Sequence, residues 1–342
     1  MAIAGGMVAG AVVQGFFSAD LRFWALLALC AAPAFLWGLI EDVSRRGAIL
    51  VRLALTGTSA GLAFILLDAR ITVLDVPGLD HLLTFHAFSF AFTVLAVTGV
   101  ANAMNVIDGL NGLCGVTALL AAAGLALVAW TVGDPVVFAA ASVLAASVAG
   151  FLSVNFPRGR IFLGDGGAYL MGLLLALLSV MLVHRNSEVS PWFPLILLAY
   201  PIWETLFSMY RRRMRGHSIG RADALHLHSL VYRRVVRWRG FAGLPRDYVA
   251  RNSLASLCLW PIPALCLAIA LAFWRDSAAL QIAAACFGIG YTLAYRRLVR
   301  FGVPAWLVIR ARGTREIGAE PAEVWAGRKI SLPGTRGMDE NR

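Results

Sequence analysis

Charge is what this 342-residue sequence has least of: 14% of its residues are Asp, Glu, Lys or Arg, against about a quarter in an ordinary soluble domain. Together with 59% hydrophobic residues and a mean hydropathy of +0.74, that scarcity excludes a soluble globular chain. It points to a protein that crosses a membrane many times. Acid is scarcer than base, 19 residues against 30, which leaves a net charge of +11. In a soluble protein that imbalance would indicate nucleic acid. Here the basic residues lie between apolar runs, where they anchor against anionic membrane lipid, and no nucleic-acid partner is expected. Cysteine is sparse as well. Cys30, Cys114, Cys258, Cys266 and Cys286 fall in or beside apolar runs with no CxxC pair, which argues against a disulfide framework or a metal cluster. No basic stretch precedes the first apolar run, so no cleaved signal peptide is expected, and no period of 20–50 residues repeats.

What the chain does have is ten apolar windows of about spanning length. They lie near 1–17, 21–40, 48–67, 82–101, 112–131, 135–153, 167–183, 191–209, 253–272 and 277–295. The prediction is an all-α polytopic integral membrane protein of about ten transmembrane helices over residues 1–300, followed by a flexible cytoplasmic tail over 301–342. The first and seventh windows are short for a span. If every second connection is cytoplasmic, that side holds 41–47, 102–111, 154–166, 210–252 and the tail. With the chain from 296 onward counted as tail, these stretches hold 25 of the 30 basic residues and Arg52 at the mouth of its helix makes 26, leaving Arg22, Arg70, Arg185 and Arg275 opposite. This is a strong positive-inside signal, and it puts every conspicuous polar cluster on one face.

There are four such clusters. Trp37-Gly-Leu-Ile-Glu41-Asp42 ends an apolar helix with two carboxylates. Acids at a helix C-terminus oppose the macrodipole, so a cation is expected beside them, either Arg45 and Arg46 or a metal. Asn102-Ala-Met-Asn105-Val-Ile-Asp108-Gly-Leu-Asn111-Gly-Leu spaces its first three polar residues i, i+3, i+6, towards one face of a helix end. Asn-Gly and Asp-Gly form ordinary turns, but a turn does not need three asparagines and an aspartate. Asn155-Phe-Pro-Arg158-Gly-Arg-Ile-Phe162-Leu-Gly164-Asp165-Gly-Gly opens an apolar helix. Its backbone N–H groups suit phosphate, and Asp165 serves as an N-cap, as a ligand for magnesium beside that phosphate, or as both. Arg221-Ala-Asp-Ala-Leu-His226-Leu-His228 lacks a third zinc ligand, and its basic groups suit an anionic diphosphate. Carboxylates for a divalent cation, an anion-binding helix start and basic groups for a diphosphate are what phosphoryl transfer requires.

In order and spacing, these four motifs resemble the polyprenyl-phosphate N-acetylhexosamine-1-phosphate transferase family, also called glycosyltransferase family 4. The likeness runs from about residue 1 to 240. It implies transfer of a HexNAc-1-phosphate from a UDP-N-acetylhexosamine to undecaprenyl phosphate, with release of UMP. That would be the initiating step of O-antigen, teichoic-acid-like or capsule synthesis at a bacterial inner membrane. The resemblance makes Asp165 the principal ligand of Mg²⁺ (or Mn²⁺), with Asn105 and Asp108 close by. Asp42 and Asp108, with Glu41 beside them, would face the lipid phosphate. His226, His228 and Arg221 would face the diphosphate, and Phe162 and Asn111 the base. Asn102 and Arg158 complete the substrate contacts, and a homodimer is a possible assembly. Glu41 stands where the family has Asp, and Asn111 where many members have Asp. The family normally begins with one more helix and a basic loop, so the chain is either a variant or starts upstream. Relatives acting on the muramoyl-pentapeptide nucleotide carry consecutive histidines where this chain has His226-Leu-His228, which favours a simple UDP-N-acetylhexosamine. The rival class is a transporter or lipid flippase, for which Arg52 and Glu204 are the nearest intramembrane candidates.

Overall fold

The computed structural model describes residues 1–18, 21–45, 47–214, 216, 225–236 and 248–300. Arg46, Arg221 and the tail over 301–342 lie outside them. Among the described residues the only regular secondary structure is helical, and the α-helices run in the order α1 (Ala2–Ser18), α2 (Leu21–Ser44), α3 (Ile49–Leu66), α4 (Leu79–Leu83), α5 (His86–Val106), α6 (Leu113–Val132) and α7 (Pro135–Asn155). There follow α8 (Gly164–Arg185), α9 (Trp192–Leu197), α10 (Ala199–Met214), α11 (Leu227–Val231), α12 (Tyr248–Leu259), α13 (Pro261–Ala272) and α14 (Ser277–Val299). Eight helical stretches are long and apolar enough to cross a membrane, with α12 and α13 forming one of them. The protein is thus a polytopic all-α membrane protein.

Every apolar window coincides with a helix, but two fall short of a full span. Helix α1 has 17 residues. The window over 191–209 is divided into α9 and α10 at Leu198. Pro201 explains that break, because its ring meets the carbonyl four residues back and it has no N–H to continue the ladder. Loop limits also differ from the sequence reading. Helix α5 continues to Val106, so Asn102 and Asn105 sit in its last turns and not in a loop. Ala101, Ala103 and Met104 are buried on that same stretch and hold it helical.

Helix α8 forms the centre, with nearly every side chain from Gly166 to Leu182 buried. Small residues let its neighbours come close, as they do between membrane helices generally. A Cβ on Gly38 of α2 would lie 2.4 Å from the Gly166 Cα, and one on Gly172 would lie 2.8 Å from the Ala101 Cα of α5. At one end of the bundle Asp134 caps α7, accepting the N–H groups of Val136 (3.2 Å) and Val137 (3.1 Å). The same carboxylate accepts from Arg185 at 2.7 Å. The other end gathers the start of α8, the ends of α2 and α5, and α11.

Candidate active site

The contact between Gly38 and Gly166 brings the end of α2 against the first turn of α8. There Asp42 Oδ1 accepts the Asp165 N–H at 2.7 Å and Asp42 Oδ2 accepts the Gly166 N–H at 3.1 Å. Asp42 therefore acts as a cap supplied from another helix, satisfying N–H groups that α8 cannot bond internally. Gly164 makes room for it: its φ is +71°, and a Cβ there would meet Asp42 Oδ2 at 2.5 Å. From α5, Asn105 Nδ2 donates to Asp165 Oδ1 at 2.6 Å. Asp108 follows in the turn after α5. Burial, then the carboxylates of Asp165 and Asp42, push its pKa up to about 7.

Among the described residues no three Asp, Glu, His or Cys side chains form a ready-made metal cage. Mg²⁺ seldom needs one, since it takes one or two carboxylates together with phosphate oxygens and water. Asp165 and Asp108, with the Asn105 amide, fit that donor set. The strain of three neighbouring carboxylates, visible in the raised Asp108, is what a divalent cation would relieve. Asp42 has both oxygens engaged by backbone N–H groups and fits the set less well.

The two acids that end α2 part company. Asp42 is exposed, while Glu41 is buried (4% exposed) and its cation is Arg52 of α3, at 3.4 Å. The guanidinium of Arg52 lies 5.3 Å from the centroid of the Tyr169 ring. Adjacent residues on a helix point about 100° apart, so one faces the site and the other the packed interior.

Beside Asp108 opens a pocket of about 420 Å³ lined by Asn111, Arg158, Phe162, Tyr248 and Asn252 among others. Asn155 ties its two loops together: Oδ1 accepts the Gly112 N–H (2.8 Å) and Nδ2 donates to the Ile161 carbonyl (2.7 Å). Helix α12 closes the wall. Asn252 Oδ1 accepts the Asn111 N–H at 2.7 Å, Ser256 Oγ donates to the Asn111 carbonyl at 2.6 Å, and Ser253 Oγ donates to the Pro157 carbonyl. Phe162 remains 79% exposed on the rim. An aromatic face next to amides and an arginine can hold a planar base and an attached phosphate.

His226 and His228 lie with their rings 7° from parallel and their centroids 5.5 Å apart. His228 packs on Gly109, where a Cβ would meet its Nε2 at 2.3 Å, so it sits directly beside Asp108. Of the residues singled out from the sequence, Asp42, Asn105, Asp108 and Asp165 come together, with His228 against them and Asn111, Arg158 and Phe162 around the adjoining pocket. Asn102 instead donates to the Thr98 carbonyl of its own helix at 2.9 Å. Sequence reasoning missed Asn155 and Asn252 as the pocket's braces. It also weighed Glu204 only as a candidate for the rival transporter class, and did not foresee that the Glu204 carboxylate is buried against His226, 2.9 Å from Nδ1.

Known proteins are similar to this chain over part of its length. A family model described as glycosyl transferase family 4 matches residues 24–183. A probable undecaprenyl-phosphate N-acetylglucosaminyl 1-phosphate transferase of Bacillus subtilis is 28% identical over 234 residues, covering 67% of this chain and 63% of that protein. The decaprenyl-phosphate N-acetylglucosaminephosphotransferase of Mycobacterium tuberculosis is 29% identical over 260 residues, covering 67% and 58%. The undecaprenyl-phosphate alpha-N-acetylglucosaminyl 1-phosphate transferase of Salmonella typhi is 29% identical over 151 residues, covering 43% and 41%. The chain thus spans less than two thirds of the length of these relatives. The stretch matched by the family model carries Asp42, Asn105, Asp108 and Asp165, the groups that the fold brings together at the ends of three helices, and over that stretch the chain is similar to glycosyl transferase family 4.

Proposed function

We propose that this protein transfers an N-acetylhexosamine 1-phosphate from a UDP-sugar to undecaprenyl phosphate and releases UMP, at the cytoplasmic face of a bacterial inner membrane. The observation that carries the reading is the meeting of Asp165, Asn105 and Asp108 next to a pocket lined by Asn111, Arg158 and Phe162. One end suits a cation and a diphosphate, the other a nucleoside.

An oxygen of the lipid phosphate attacks the β-phosphorus, and a new P–O bond forms there. The bond from the β-phosphorus to the bridging oxygen breaks, and that oxygen leaves with the electron pair as part of UMP. A phosphate monoester with a second pKa near 6 is largely a dianion at neutral pH, so no strong general base is required. Asp165, Asn105 and Asp108 would hold Mg²⁺, which when bound neutralises the diphosphate charge as the leaving group departs. Asp42 keeps the Asp165 helix start in place, and Asp108 stands next to the attacking phosphate.

The test is incorporation of labelled sugar phosphate into the lipid phase, with membranes carrying the chain, undecaprenyl phosphate, Mg²⁺ and a panel of UDP-sugars. Incorporation from one donor identifies the sugar, and Asp165→Asn is expected to abolish it with the fold retained. Near-normal turnover by folded Asp165→Asn would overturn the metal assignment. No incorporation from any donor, with sugar or lipid movement across vesicles instead, would favour transport.

A further inference from the structure

Helix α10 carries the carboxylate of Glu204 into a fully buried position (0% exposed). A buried carboxylate is costly unless donors surround it. Here the donors converge from one segment and one neighbouring helix. His226 Nδ1 lies 2.9 Å from Oε1. The Leu227 N–H reaches both oxygens at 3.1 and 3.2 Å. From α14, the Tyr291 hydroxyl donates to Oε2 at 2.6 Å. One turn along α10, Ser208 Oγ lies 3.2 Å from the same His226 Nδ1. A further turn on, Arg211 Nη1 donates to the Leu225 carbonyl at 3.0 Å, as does the Tyr295 hydroxyl of α14, also at 3.0 Å. The backbone on both sides of His226, and its ring, are therefore gripped by α10 and α14.

We infer that Glu204, braced by Tyr291, is a positioning residue that fixes the tautomer and orientation of His226 for the phosphate end of the site. With Nδ1 committed to the carboxylate, Nε2 is the ring atom left to face a ligand, since the two ring nitrogens divide their roles in this way. The orientation is passed on, because the His226 ring lies flat along His228, and His228 abuts Gly109 beside Asp108. Glu204 itself is sealed from the pocket and touches no substrate. Any buried carboxylate needs donors; what a purely structural role leaves unexplained is that one of them is a ring nitrogen of His226, which Ser208 also meets. This inference rests on the transferase reading above for its consequence in catalysis, but its geometric content stands without it.

The experiment compares wild type, Glu204→Gln, His226→Ala and the double variant, all as full chain in lipid nanodiscs. Glutamine keeps the shape but offers only one acceptor oxygen. The first readout is turnover with UDP-N-acetylglucosamine, undecaprenyl phosphate and Mg²⁺. Outer partners of metal-bound imidazoles are typically worth about 10–100-fold, and by the same logic of a fixed tautomer a loss of about tenfold in kcat/KM is expected for Glu204→Gln. In the His226→Ala background the same change is expected to cost almost nothing further. The second readout needs no activity: carbethoxylation of His226 by diethyl pyrocarbonate, followed peptide by peptide by mass spectrometry, with His184 as internal standard. Release of the ring in Glu204→Gln is expected to raise the His226 rate several-fold while His184 is unchanged. Glu204→Asp, which keeps the charge, serves if the Gln variant does not fold, and partial recovery of both readouts is expected. A His226 rate that stays at the wild-type value, or losses that multiply in the double variant, would overturn the assignment. If the wild type transfers nothing from any donor, the proposed function fails, and the modification rate still decides the role of Glu204.

Discussion

Asp42 caps the helix that begins at Asp165, and it does so from a different helix: the Asp165 N–H lies 2.7 Å from Asp42 Oδ1. One carboxylate thereby sets the position of another. Replacing Asp42 with Ala removes acceptors for two N–H groups, at a cost of about 1 kcal/mol for a lost N-cap. The expected result is faster amide exchange at Asp165 and Gly166 together with a loss of transfer of an order of magnitude or more. Unchanged exchange in an inactive Asp42→Ala would mean that Asp42 acts on the reactants directly and not as a cap.

Gly38 sets the approach of α2 to α8. A Cβ there would lie 2.4 Å from the Gly166 Cα and 2.6 Å from its nitrogen, and these backbone atoms cannot rotate aside. Gly38→Ala must therefore separate the helices and draw Asp42 away from Asp165. Overpacking typically costs about 1–3 kcal/mol, and here activity should fall with stability. Gly150, with nothing within 4 Å of its Cβ position, is the control: Gly150→Ala should melt and turn over as wild type does. Equal behaviour of the two variants would refute the close-contact argument.

The helices were legible in the sequence because membrane spans declare themselves by length and apolarity, and every apolar window falls on helix, although the window over 191–209 is broken in two. The reactive end was legible too. Asp42, Asn105, Asp108 and Asp165 are polar residues gathered at span ends, where amides and carboxylates at the edge of a bilayer need a reason. Helix limits were harder to read, since Ala101, Ala103 and Met104 carry α5 past the point where asparagines suggest a loop. Least visible were the residues that hold the site together. The partners of Asn252, Tyr291 and Glu204 lie 141, 87 and 22 residues away, and no local spacing encodes such pairings. Glu204 read as an ionisable group in a span until its donors could be seen.

Asn252 belongs to α12, beyond the stretch that the family model matches, yet it accepts the Asn111 N–H in the wall of the pocket. Asn252→Ala would leave that N–H buried without an acceptor, at about 1–3 kcal/mol, and loosen the Asn111 turn. The expected effect is a roughly tenfold or greater rise in KM for the UDP-sugar, by that same energy scale, with a smaller change in kcat. UMP binding, followed by calorimetry, should weaken in parallel. A variant with normal UMP affinity would remove this pocket from nucleotide recognition.

Asp108 gives the site a pH dependence whose sign can be worked out. Its pKa is raised to about 7 by burial and by its carboxylate neighbours, from an ordinary value near 3.9. The folded protein therefore favours the neutral acid, and without metal the ionisation of Asp108 costs stability as pH rises from about 4 to about 7. A divalent cation requires the ionised form, so its binding displaces a proton below pH 7 and none well above it. Apparent Mg²⁺ affinity should fall about tenfold for each pH unit below 7 and level off on the alkaline side. Calorimetric titrations in two buffers of different ionisation enthalpy should count close to one proton released at pH 6. Asp108→Asn should abolish that release. Mg²⁺ affinity that stays flat from pH 5.5 to 8.5 in the wild type would take Asp108 out of the ligand set and leave Asp165 and Asn105 to hold the ion.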